Sequence, residues 1–168
     1  MLAILSKNKK AKSLTLIEVL VAVGITLLLI GVSIPLLNRD RGRLSLEKEA
    51  EAIAAYYTKA QNYSFHPERK EVDSYSVVPE SCDASNSCKR LVIVANYKDE
   101  EGEEIDSFNI PRAVIKTSAG EIPIVKYQLG TGSTDEDSEI SIQAYFESNE
   151  AEKALIKIYP TGAVDVQI

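Results

Sequence analysis

The sequence has little of what an enzyme or a metal site needs. It contains one histidine, His66, and two cysteines. No glycine-rich nucleotide-binding pattern, nucleophile motif or histidine cluster occurs. A single histidine without a neighbouring ligand cluster makes a poor metal site, so we expect neither an enzyme nor a bound cofactor. Only 6 prolines and 8 glycines occur in 168 residues that are 45% hydrophobic, which argues against global disorder.

Basic charge is scarce beyond the N-terminus. The first thirteen residues hold four lysines and no acid, so residues 14–168 carry 19 − 4 = 15 basic and 25 acidic side chains, a balance of −10. Neutralisation of phosphates by lysine and arginine supplies most non-specific affinity for nucleic acid. An acidic domain is therefore a poor nucleic-acid binder, and we do not expect nucleic acid as a partner.

One long apolar run lies near the N-terminus. Residues 14–37 contain a single ionisable side chain, Glu18. As a helix this run would be about 36 Å long, enough to cross a hydrocarbon core of about 30 Å. A secretory signal peptide has a shorter run, and a lipoprotein needs a cysteine that this run lacks. A plain membrane anchor is left open, but a carboxylate inside a membrane segment is costly and indicates a function.

The residues around Glu18 carry a family resemblance. A basic leader is followed by the sequence Ser-Leu-Thr-Leu-Ile-Glu-Val-Leu over residues 13–20, which resembles the class III signal of type IV prepilins and pseudopilins. The resemblance implies peptidase cleavage between Ser13 and Leu14, methylation of the Leu14 amine, and Glu18 as fifth residue of the mature chain. The same count makes Pro35 the twenty-second, where pilins commonly carry a helix-kinking proline. The family usually has glycine and phenylalanine at the cut, where this chain has Ser13 and Leu14.

The resemblance also implies an organisation and a location. Residues 1–13 would be a cytoplasmic leader, and residues 14–37 a single-pass segment in the inner membrane that later forms the filament core. The globular domain would lie outside, in an extracellular filament or a periplasmic pseudopilus after assembly. Partners would be prepilin peptidase, other pilin or pseudopilin subunits, and an inner-membrane assembly platform. The counts of positive charge on the two sides of the run are equal, so they do not decide its orientation.

A helical spacing of apolar residues continues after the run. The stripe consists of Leu46, Ala50, Ile53, Tyr57 and Ala60, which share one helix face. We predict an amphipathic half of the helix over residues 38–66, ending near Ser64 because a proline at 67 disfavours helix just before it. This stripe is expected to pack on the protein's own sheet.

Residues 67–168 alternate in the manner of strands. Turn residues separate eight candidate strands: Tyr75–Val78, Arg90–Tyr97, Ile105–Ile110, Ala113–Thr117, Ile122–Gln128, Glu139–Phe146, Lys153–Tyr159 and Ala163–Gln167. Pro-Thr-Gly at 160–162 predicts a final hairpin. The fold class is α+β, with a long N-terminal helix on an antiparallel sheet, pilin-like. Segments 59–62, 75–78, 125–130 and 154–164 loosely resemble H-type minor pseudopilins of type II secretion and their type IV pilus relatives.

Cys82 and Cys88 flank a polar loop. In an exported domain such a pair predicts a disulfide that pins a local turn. We predict that residues 98–104 and 130–137 form exposed acidic loops. Asp135 and Asp137 are weak calcium candidates, because neither acidic segment has EF-hand spacing.

Two classes of function follow. The first is a structural subunit, a pilin or minor pseudopilin built into a type IV pilus or a type II secretion pseudopilus. The alternative is a minor pilin that acts as a binding module at a filament tip, for DNA uptake or adhesion.

Overall fold

The computed structural model describes residues 15–67, 71–98, 102–118 and 120–168, without the side chains of residues 31–40. The predicted leader, Ser13 and Leu14 lie outside these residues. The described chain contains the helix α1 (Leu16–Phe65) and eight strands, β1 (Val72–Cys82), β2 (Cys88–Tyr97), β3 (Glu103–Asn109), β4 (Ala113–Lys116), β5 (Val125–Gln128), β6 (Ile140–Phe146), β7 (Asn149–Ile158) and β8 (Val164–Gln167). The described chain consists of two compact units, one that ends at Arg41 and one that begins at Gly42.

All strand pairs are antiparallel, so the α+β class is confirmed. The β7–β8 hairpin is also confirmed. Several strand boundaries differ from those predicted: β1 extends further at both ends, β5 begins at Val125 rather than Ile122, and β7 begins at Asn149 rather than Lys153. The first strand continues through Pro79 to Cys82, because β5 covers β1 only at Ser74–Val77 and Pro79 therefore lies where β1 is an edge strand. The predicted acidic loop 98–104 ends earlier, since Glu103 and Glu104 pair with β2.

The second part of α1 covers the sheet of the 42–168 unit. The five stripe residues are between 0% and 1% exposed, as the helical spacing predicts. The carboxylate of Glu152 in β7 lies 3.9 Å from the Cβ position of Gly42, and Gln61 Nε2 donates to the Thr161 carbonyl at 3.2 Å. The helix between these points is about 28 Å long and the strand about 30 Å. Helix and β7 therefore run side by side in the same direction.

The sheet consists of two parts. Its order is β5-β1-β2-β4-β6-β7-β8, with β3 also paired to β2. Strand β3 pairs along β2 over six positions, whereas β4 meets β2 only at Cys88–Ile115 and pairs with β6 over all four of its residues. We name β5, β1, β2 and β3 the first half-sheet, and β4, β6, β7 and β8 the second half-sheet. The chain crosses between them at the bend of residues 110–112.

A helix carboxylate holds this bend. Glu49 Oε2 accepts hydrogen bonds from the backbone N–H of Arg112 at 3.1 Å and of Ala113 at 2.7 Å. Ala113 is fully buried, so its N–H has no access to water. Because buried N–H groups need a partner, Glu49 stabilises the point at which the strand changes half-sheets.

We expect Glu49→Ala to lower the free energy of unfolding by about 1–3 kcal/mol, because it leaves the N–H of the buried Ala113 without its partner. Urea unfolding followed by tyrosine fluorescence measures this, since the chain has no tryptophan. Glu51→Ala is the matched control, an exposed glutamate two residues along the same helix. Equal effects of the two substitutions would show that the bend does not depend on Glu49.

The C-terminal end of α1 is anchored by two turns. Gln61 Nε2 donates to the carbonyls of Gly132 at 3.1 Å and Thr161 at 3.2 Å. The Gly130 N–H donates to the Ser64 carbonyl at 2.9 Å, which satisfies one of the free carbonyls at a helix end. The backbone approaches closely here: a Cβ on Gly162 would overlap the Gly132 carbonyl oxygen and the Gln61 amide.

Gly162→Ala should destabilise the domain by more than Gly130→Ala. Both glycines have positive φ, 81° and 79°, so alanine costs about 1–2 kcal/mol of backbone strain at either position. Only Gly162 adds a steric clash, since nothing lies within 4 Å of the Cβ position at Gly130. Thermal unfolding of the two variants separates the steric clash from the backbone strain. Equal losses of stability would contradict the close approach of the backbone at Gly162.

Candidate assembly segment and hairpin tip

The first part of α1 is apolar on every side. Each large apolar side chain from residue 16 to residue 30 is exposed, at 48% or more: Leu16, Ile17, Val19, Leu20, Val21, Val23, Ile25, Leu27, Leu28, Leu29 and Ile30. Successive helical residues point about 100° apart, so these side chains surround the helix. Such a helix is typical of a segment that is buried in a larger apolar environment. We call residues 16–30 the apolar segment.

Among the described residues, no helix is both long and apolar enough to cross a membrane. The predicted transmembrane segment, residues 14–37, stays a prediction. Its Leu14 lies outside the described residues, and Pro35 lies within α1 with its side chain undescribed.

Glu18, the charged residue of the apolar segment, caps the N-terminus of the helix. Its Oε2 accepts hydrogen bonds from the Thr15 N–H at 2.8 Å and the Thr15 hydroxyl at 2.9 Å. The Thr15 hydroxyl oxygen accepts in turn from the Glu18 N–H at 3.4 Å. This is a capping box, in which two side chains satisfy the orphan donors of a helix N-terminus. This capping box was not predicted from the sequence, although Thr-x-x-Glu before an apolar run is its signature.

The helix face opposite Glu18 is apolar. Leu20 and Leu27 are about 160° and 180° around the helix from it. Between them Gly24 leaves a shallow apolar groove, because nothing lies within 4 Å of its Cβ position. The segment thus presents a carboxylate on one side and an uninterrupted apolar surface on the other.

The predicted disulfide is present. Cys82 and Cys88 are bonded and stand opposite each other in β1 and β2. The loop between them is organised by Asp83, whose Oδ1 accepts from the Ser85 hydroxyl at 2.6 Å, the Ser85 N–H at 2.8 Å and the Ser87 N–H at 2.9 Å. These bonds, the Ser85 hydroxyl first, hold the pKa of Asp83 below its usual 3.8. Their contribution to stability is present above the unfolded pKa and is lost as the pH falls through the lowered folded value.

The calcium candidates do not form a ligand cluster. Asp135 accepts from Gln128 Nε2 at 2.8 Å and forms an ion pair with Lys126 at 3.5 Å. Within the described ranges, no group of three or more His, Cys, Asp or Glu side chains is placed to hold a metal ion. Asp137 is exposed. His66, beyond the helix end, is also exposed, and its backbone N–H donates to the Asn62 carbonyl at 3.1 Å.

Comparison with solved structures identifies the fold. Two crystal forms of the type IV minor pilin FimU from Pseudomonas aeruginosa superpose on this chain with TM-scores of 0.54 and 0.56. The matches cover 73% and 75% of this chain, and 93% and 90% of FimU. The chain has a type IV pilin-like fold. No protein-family model matches the sequence, and no curated protein does.

The likeness to FimU is one of fold. Sequence identity is 14% in both superpositions, so the pilin-like arrangement is shared while most side chains differ. The resemblance drawn from residues 13–20 and the fold comparison agree on a pilin-like protein. The first rests on a short motif and the second on three-quarters of the chain.

Proposed function

We propose that this protein is a structural subunit, a pilin or minor pseudopilin, which assembles into a filament through its N-terminal helix. The observation that carries the proposal is the apolar segment, whose large side chains are exposed on all sides of a helix in a pilin-like fold. Exposed apolar area of this extent is unfavourable in water. Lipid before assembly and the helices of neighbouring subunits afterwards would each cover it.

Processing belongs to the same proposal. Prepilin peptidase would cut between Ser13 and Leu14, and the new Leu14 amine would be methylated. Glu18 would then align each subunit against the amine of a neighbour. Burial of such a pair costs desolvation energy, so its role is to set the register more than to add stability. Inner-membrane assembly proteins and other pilin subunits would be the partners.

The capping box is compatible with this role. Both Thr15 donors reach the same oxygen, Oε2, so Glu18 is hydrogen-bonded within its own chain. Hydrogen bonds to a carboxylate lower the cost of holding it in an apolar environment. Glu18 could therefore stay in the membrane before a neighbouring subunit arrives.

Ion pairing on the described part of the globular domain argues against the alternative of nucleic-acid capture. Five basic side chains of the sheet and the second part of α1 form ion pairs with the domain's own carboxylates: Lys59, Lys89, Arg90, Lys126 and Lys157. Arg90 binds two acids, Glu80 and Glu104. Cations that are neutralised in this way contribute little to phosphate binding.

Glu18→Val tests the proposed function. It removes the carboxylate and leaves an apolar side chain, so membrane insertion should persist while incorporation into filaments is lost. Immunoblots of the membrane fraction and of sheared filaments measure the two steps.

Thr26→Val is the matched control, because it also replaces a polar side chain in the apolar segment. The Thr26 hydroxyl only donates to the Ala22 carbonyl of its own helix, at 2.7 Å. This variant should enter filaments as the wild type does. Normal incorporation of Glu18→Val would refute the assembly role.

A further inference from the structure

The two half-sheets are joined by very little backbone pairing. Within the described strands, β2 and β4 pair only at Cys88–Ile115, whereas β1–β5, β4–β6 and β7–β8 each pair over four positions. At the opposite end the half-sheets meet through the Thr134 N–H and the Pro160 carbonyl, 2.9 Å apart. A single backbone pair contributes little net stability, because in the unfolded chain the same groups are hydrogen-bonded to water. The Cys88 joint is therefore weak by itself.

Cys88 is bound to both half-sheets at once. Its sulfur is bonded to Cys82 at the end of β1, its backbone pairs with Ile115 in β4, and its side chain is 2% exposed. The adjacent Ser87 lies with its hydroxyl 3.0 Å from that of Tyr145 in β6, a buried contact. The disulfide therefore holds the hairpin tip in the position where it meets the second half-sheet.

Backbone strain beside the disulfide opposes closure of the tip. Ser81 has a φ of 54°, a left-handed conformation that is unfavourable for a non-glycine residue. Hydrogen bonds within the loop favour closure, among them Asp83 N–H to the Ser87 carbonyl at 3.0 Å. Asp83 is exposed, so water competes for these bonds. The strain at Ser81 opposes these exposed hydrogen bonds, and the covalent bond keeps the tip closed.

We propose that the Cys82–Cys88 disulfide is a redox latch for the joint between the half-sheets. In closing, the two thiols lose two protons and two electrons to the disulfide of an oxidised dithiol protein, which becomes a dithiol. In opening, a dithiol reductant returns them. Cys82 is exposed, so such a partner can reach its sulfur. The tip and β4 separate on reduction, while the core under α1 stays folded.

With this latch, the joint between the half-sheets closes fully only in an oxidising compartment. Where thiols are kept reduced, Ser81 relaxes and the Cys88–Ile115 pair opens. Strand β4 is then held by β6, by Glu49, and by the hydrogen bond from the Ile110 N–H to the Lys89 carbonyl at 2.8 Å. Strands β7 and β8 lie beyond β6, away from the joint. Their pairing is independent of the disulfide.

Hydrogen exchange measured by mass spectrometry on the full chain in detergent micelles tests the latch. Oxidised protein is compared with the same protein reduced by dithiothreitol and with the variant Cys82→Ser/Cys88→Ser. We expect residues 110–118 to exchange on the order of tenfold faster when the disulfide is absent, since their protection is local. Residues 152–158 should exchange at an unchanged rate.

Ser81→Gly in the double-serine background serves as the matched variant. Glycine adopts positive φ without the steric cost, so it should restore part of the protection of residues 110–118. Unchanged exchange at residues 110–118 after reduction would overturn the latch. An equal increase in every strand would also overturn it, because the disulfide would then support the whole domain rather than the joint.

Discussion

The structure of the globular domain depends on the packing of one helix stripe against two half-sheets. The half-sheets share a single backbone pair between β2 and β4, so they need a common surface to hold them together. The second part of α1 supplies it. Toward the first half-sheet, Lys59 binds Asp106 at 2.6 Å and Tyr56 stacks on Phe108 with ring centroids 5.4 Å apart. Toward the second, Glu49 holds the start of β4 and Gln61 holds the turn after β7.

The core under this helix includes polar groups that are left unsatisfied. Tyr57 and Tyr127 are fully buried, and their hydroxyls have no hydrogen-bond partner among the described residues. Burial raises the pKa of both phenols above the ordinary value, so they stay neutral at physiological pH. The domain tolerates these orphaned groups because the aromatic rings fill the space between helix and sheet. Close packing in this layer evidently outweighs two missing hydrogen bonds.

The sequence predicted periodic features well and tertiary contacts poorly. Apolar residues four and three apart located the buried stripe, and alternation located all eight strands to within a few residues, because burial on one face imposes both patterns. The end of β1 was not predicted because of Pro79. A proline fits in a strand only where no second neighbour needs its N–H, and this depends on where β5 ends. Glu49 gave no local signal either, because its role is set by a bend more than sixty residues away. The capping box of Thr15 and Glu18 was readable from spacing alone.

The apolar segment was predicted from its composition and from a family resemblance. A lone carboxylate in an apolar run indicated a function, and the resemblance of residues 13–20 to the class III signal indicated a pilin-like subunit. The pilin-like fold was then found by comparison over three-quarters of the chain. The proposed cleavage before Leu14 would connect the two, because it would place Glu18 as fifth residue of the mature chain.

The proposed processing of the N-terminus can be measured by mass spectrometry of the mature chain. In cells with an active prepilin peptidase, we expect a chain that begins at Leu14 and carries an N-methyl group. A chain that still begins at Met1 in those cells would contradict the proposed processing.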